Sequence, residues 1–133
     1  MNGQLNFLAI GWEKKILKSE RFLKEMEAVV PWKRLCALIE PHYAKGQLGR
    51  KPFALPLMLR IYCLQQWFGL SDPAAEEAIY DRASFQRFLG LDIVNDAVPD
   101  ETTILNFRHL LEAHQLPVLV FAQIKEHLEE KDF

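Results

Sequence analysis

The sequence predicts an all-α fold of about six helices with a trihelical helix-turn-helix-like core. Three observations carry this. Apolar residues recur at spacings of three and four through most of the chain. Those runs are bounded by residues that start and stop helices: serine or aspartate before, proline in the first turn, glycine after. Strand signals are nearly absent, with no sustained alternation of period two and no β-branched cluster.

Residues 1–18 mix Phe7, Leu8, Ile10, Trp12 and Ile16 with lysines and read as a loop that docks its aromatics. Ser19 reads as an N-cap, and Phe22, Leu23, Met26, Val29 and Val30 follow at helical spacing, giving a helix near 20–29. Pro31 suits the first position of a second helix, where a missing amide removes no bond. Trp32, Leu35, Cys36, Leu38 and Ile39 form its apolar face, and Pro41 is expected to stop it, because the residue before a proline avoids the helical region. Val30 and Trp32 bracket the junction, so the two helices form a hairpin-like pair.

His42 to Pro52 reads as a loop with two glycines and the basic residues Lys45, Arg50 and Lys51. Glycines let backbone amides approach a phosphate and the cations supply charge; a solvated linker is the competing reading. Pro56 then opens a helix through Leu57, Met58, Ile61, Tyr62, Leu64, Gln65, Trp67 and Phe68, stopped by Gly69. It is apolar on most sides and is expected to lie at the centre. A helix with Asp72 as cap and Pro73 at its first position follows, placing Ala75, Ala78, Ile79 and Phe85 inward. A break near residues 81–84 leaves Ser84 to cap a short piece ending at Gly90. Residues 91–99 read as a polar turn. Asp100 then caps a helix over 101–112 whose buried stripe is Ile104, Leu105, Phe107, Leu110 and Leu111. Pro117 starts the last helix, through Val118, Phe121, Ile124 and Leu128.

The 133 residues have the length of one domain and half of them are apolar, enough for a real core. It divides into a helical hairpin and loop (1–48), the core (49–115) and a C-terminal helix (116–133). No apolar run approaches the ~18 residues that cross a bilayer. The first residues lack a basic stretch and a long apolar run, so the expected compartment is the cytoplasm, with no membrane partner. Cys36 and Cys63 lie far apart within apolar helical patterns and read as buried free thiols. His42, His109, His114 and His127 share no metal-ligand spacing, and no cofactor is expected in this chain.

Net charge is −2, but it is unevenly distributed. Residues 1–51 hold ten Lys/Arg against five Glu, and residues 52–133 hold six against thirteen acidic residues. A basic front and an acidic back suit a chain that offers one face to a polyanion. The helix capped by Asp100 leaves Thr102, Thr103, Asn106 and His109 outward, with Arg108 at the margin. Such groups near a helix start can contact base edges and phosphates in a major groove; an ordinary capped amphipathic helix is the alternative.

Several long, ordered motifs then carry a resemblance. They are Gly49-Arg50-Lys51-Pro52-Phe53, the run Leu57 to Phe68, Leu70-Ser71-Asp72 with Glu76 to Asp81, Arg87 to Leu91, and Val98 to Arg108. With Pro31-Trp32 and Ile39 to Tyr43, these resemble the N-terminal domain of the IS5 family of DDE-type insertion-sequence transposases, over residues 5–131. The resemblance implies a helical domain that binds the element's terminal inverted repeats in double-stranded DNA. It also implies a downstream RNase H-like domain that cuts and joins DNA with three acidic residues and divalent metal. No Asp or Glu here matches that triad, so no catalysis by this polypeptide alone is expected. Carried onto matching positions, Arg50 and Lys51 become candidate phosphate contacts, and Thr102, Thr103, Asn106, Arg108 and His109 candidate contacts of the reader helix. For Asn106 and Arg108, bonding within the fold is the competing role. A dimerisation or inhibitory module, pairing with itself or with full-length transposase, is the alternative function.

Overall fold

A computed structural model describes residues 18–43 and 53–130. Among them the chain is all-helical, with seven helices and no strand. These are α1 (18–29), α2 (Trp32–Tyr43), α3 (Leu55–Phe68), α4 (Asp72–Asp81), α5 (Ala83–Leu89), α6 (Glu101–Ala113) and α7 (Leu116–Glu130). The basic loop with Arg50 and Lys51, and Trp12 with the rest of the first seventeen residues, lie outside the described residues.

Five local expectations are corrected. The chain is already helical at residue 18, so Ser19 lies inside α1 and does not cap it. Pro41 does not stop α2, which continues to Tyr43. The missing amide falls in the last turn opposite the carbonyl of Ala37, an exposed residue, and Tyr43 anchors the end: its ring lies edge-on to Phe107 at 5.7 Å and its hydroxyl donates to the Phe53 carbonyl. Ser71, not Asp72, caps α4, its Oγ accepting from the Ala74 amide at 3.2 Å, which frees the Asp72 carboxylate for another helix. The 72–89 segment breaks at Arg82, which stands where Ser84 was expected to cap α5. Gln86 Nε2 donates to the carbonyls of Ile79 and Tyr80 at 2.9 and 3.2 Å, satisfying the end of α4. Finally, α7 begins at Leu116, one residue before Pro117, after a turn in which Gln115 takes a left-handed φ of 55°.

The expectation for α3 holds. Ala54 precedes it with Pro56 in the first turn, and Gly69 closes it at φ 63°, donating to the Gln65 carbonyl. Eight of its residues are buried, and α2, α4, α5 and α6 pack on it. Helices α3, α4 and α6 pack on one another as the trihelical core, with α5 and the 91–100 segment intervening between the second and third.

Two side-chain clasps set the helix positions. Arg60 of α3 lies over the Trp32 ring of α2 at 4.6 Å and the Phe88 ring of α5 at 4.8 Å. Its Nη1 donates to Glu27 Oε1 of α1 at 2.8 Å and to the Phe88 carbonyl at 2.7 Å. One guanidinium thus joins four helices, amid the edge-on rings of Phe22, Trp32, Trp67 and Phe88. The second clasp joins α4 to α6. Asp72 accepts a fork from Arg108, Nε to Oδ1 at 3.2 Å and Nη2 to Oδ2 at 2.9 Å, and Gln65 Nε2 of α3 donates to the same Oδ1 at 2.8 Å. The Arg108 hydrogen bonds hold the Asp72 carboxyl below its ordinary range, and those from Asp72 push Arg108 up.

Each clasp generates a test. Arg60→Ala is expected to lower unfolding stability in urea by about 2–4 kcal/mol. Glu27→Gln should cost less than about 1 kcal/mol, because that carboxylate is half exposed. Equal losses would place the stability in the ion pair and not in the ring stack. Asp72→Asn is expected to cost about 1–3 kcal/mol at neutral pH. Because the folded carboxyl titrates lower than the unfolded one, that contribution is complete above about pH 4 and is lost as pH falls through the folded value. The stability gap between the two proteins should therefore close in acid; a gap unchanged by pH would show that Asp72 acts by shape.

Candidate nucleic-acid interface

Helix α6 presents the candidate reading surface. Asp100 caps it, accepting from the Thr103 amide at 2.8 Å as its position before the apolar run predicts. A second carboxylate joins the cap: Glu76 Oε1 of α4 accepts from the Glu101 amide at 2.7 Å. The first-turn amides that would otherwise suit a phosphate are thus already engaged by acids.

Ile104, Phe107 and Leu111 turn into the core, which fixes what turns out. Thr102, Asn106 and His109 are exposed and share one stripe at helical spacing. The side chains of Thr102 and Asn106 make no hydrogen bond to another described residue, so their amide and hydroxyl groups face solvent available for pairing. Thr103 is half-buried and set off this stripe. Arg108 is half-buried as well: besides the Asp72 fork, its Nη1 donates to Glu112 Oε1 at 2.8 Å. The structure therefore brings Thr102, Asn106 and His109 together and holds Arg108 against α4.

The electrostatics around the stripe are one-sided. Asp72, Glu76, Glu77 and Asp81 lie on α4, and Asp100, Glu101 and Glu112 lie on or cap α6, against the single guanidinium of Arg108. Exposed cations gather elsewhere: Lys18, Arg21 and Lys24 on α1, Lys33 and Arg34 on α2, and Arg82 and Arg87 at α5. A polyanion against the α6 stripe meets an acidic rim, so electrostatic attraction to it has to come from cations off α6.

Two arrangements escaped the sequence reading. Glu76 and Glu77 are explained locally as acids of the first two turns of their helix, and nothing local signals that Glu76 reaches a helix start 25 residues on. His42 and His114 stack at 4.0 Å and 29°, joining the end of α2 to the cap of α6. Only the packing of those helices brings the rings together. Of the two thiols, Cys63 is buried and its pKa is pushed up to about 12 by that burial, while Cys36 is half-buried and raised by the same cause. Among the described residues no group of three or more His, Cys, Asp or Glu is placed to hold a metal ion, and no helix is long and apolar enough to cross a membrane.

Residues 12–110 match the family described as Transposase domain (DUF772). No solved structure matches the chain. The family match runs from before α1 to the third turn of α6 and includes the Thr102, Asn106 and His109 stripe, both clasps and the aromatic cluster. It covers well over half of the 133 residues, and the chain belongs to this transposase domain family.

Proposed function

We propose that this domain is the DNA-binding N-terminal part of a DDE-type, IS5-like transposase and recognises the terminal inverted repeats of an insertion element. The observation that carries the reading is the exposed stripe of Thr102 and Asn106, without side-chain partners among the described residues, with His109, on a helix held by its own arginine, within a transposase domain. Asn pairs bidentately with adenine, and Thr contacts either a base edge or a thymine methyl. Arg50 and Lys51 supply phosphate contacts from a loop whose glycines permit close approach. Thr103 and Arg108 act from the margin, Arg108 by fixing the rotation of α6. In this reading the polypeptide contributes recognition in the cytoplasm, and cutting and joining belong to another domain with divalent metal.

Two observations favour a second reading, a dimerisation or inhibitory module that pairs with another copy or with full-length transposase. The rim of α6 is acidic, and α7 exposes Val118 and Leu119, the former 75 % accessible.

Binding of the purified chain to a duplex carrying the repeat, against a scrambled duplex, separates the two. Asn106→Ala is expected to narrow the preference for the repeat by about 1–3 kcal/mol while leaving scrambled binding intact. A loss equal for every sequence would remove Asn106 from base reading. Replacing Arg50 and Lys51 with Ala should weaken all duplexes alike and flatten the salt slope, and unchanged binding would take that loop out of the interface. A chain that self-associates and binds no duplex at low salt supports the second reading.

A further inference from the structure

The acidic rim of α6 raises the question of where a DNA backbone finds its cations. One notch answers it. Between α1 and α5 lies a half-open cavity of about 100 Å³. Its floor is apolar, formed by buried Leu23 and Phe88. Its walls carry Glu20, Lys24 and Glu27 from α1 and Ser84 and Arg87 from α5.

The charges on those walls are not equivalent. Glu27 is bound by Arg60 at 2.8 Å from beneath, and Glu20 is bound by Arg87 Nη2. Both carboxylates are therefore neutralised within the fold. Lys24 is exposed and has no ion pair or hydrogen bond among the described residues. Ser84 likewise makes no side-chain hydrogen bond there, and the Arg87 side chain is more than half exposed, with only one of its donor nitrogens engaged. What remains able to donate is the Lys24 ammonium, the Ser84 hydroxyl and the part of the Arg87 guanidinium that Glu20 does not engage. All three residues line the same cavity beside the apolar Leu23 and Phe88, where an ionic contact is stronger than in open water. The cavity is large enough to admit solvent-sized groups.

We propose that this notch seats a phosphodiester of the bound DNA backbone, held by Lys24, Ser84 and Arg87. The inference rests on the DNA-binding reading and adds a site that α6, Arg50 and Lys51 do not supply. Glu20 acts here as a positioning residue: it fixes Arg87 and moderates its charge. Helix α5 packs on α4, as α6 does, so the two surfaces share one supporting helix.

The test is anisotropy of labelled duplexes, one with the terminal repeat and one scrambled, titrated with the full chain across a salt series. Lys24→Ala is expected to weaken both duplexes equally, by roughly three- to tenfold, and to reduce the slope of log affinity on log salt by about 0.9. Glu20→Gln frees Arg87 and removes a negative charge, so it should tighten both duplexes by roughly two- to fivefold at low salt. Lys24 is exposed, and circular dichroism melts of both variants check that the fold is kept. Tight duplex binding unchanged by either substitution overturns the notch and leaves the reading of α6 standing. A folded wild-type chain that binds no duplex overturns both.

Discussion

The fork between Asp72 and Arg108 is the interaction on which the presented surface depends. It crosses from α4 to α6, is braced from α3 by Gln65, and continues along α6 to Glu112. A bidentate guanidinium–carboxylate pair fixes orientation as well as distance. With Ile104, Phe107 and Leu111 in the core on one side and this fork on another, the rotation of α6 about its axis is set. That rotation is why Thr102, Asn106 and His109 face outward together. Arg60 plays the corresponding part at the other edge, joining α1 and α2 to α3 and α5 through two rings, a carboxylate and a carbonyl.

These two clasps also divide the surface electrically. Arg108 is drawn into the α4–α6 seam, which leaves that seam to its carboxylates. Arg60 neutralises Glu27 and Arg87 neutralises Glu20, which leaves Lys24 as the unmatched charge of the α1–α5 notch. Recognition and affinity therefore have separate sources in this account. Under the proposed function, the α6 stripe would discriminate sequence and cations at other edges would supply the salt-dependent attraction to phosphate. The basic front and acidic back of the sequence are the one-dimensional trace of that division.

Much of the fold is legible in the sequence because helices announce themselves locally. The apolar period and the Asp100 cap locate α6, and Pro56 and Gly69 bracket α3. Where local signals mislead, a tertiary contact prevails. Tyr43 carries α2 past Pro41 because its ring and hydroxyl have partners on α6 and at Phe53. Asp72 yields the cap to Ser71 and is engaged instead by Arg108. The candidate site divides in the same way. The outward stripe follows from the helical period alone, since burying Ile104, Phe107 and Leu111 exposes Thr102, Asn106 and His109. The engagement of Arg108 does not, because its partner lies 36 residues away in sequence. The notch is likewise invisible locally: its walls come from α1 and α5, and its charge balance depends on Arg60 from a third helix.

The most direct measurement is a backbone-amide NMR titration of the chain with the terminal-repeat duplex and with its scrambled counterpart. Shifts are expected at residues 102, 106 and 109 with the repeat alone, and along the α1–α5 notch with both duplexes. Shifts confined to α7 around Val118 and Leu119, arising with protein concentration and indifferent to DNA, would contradict the proposed function.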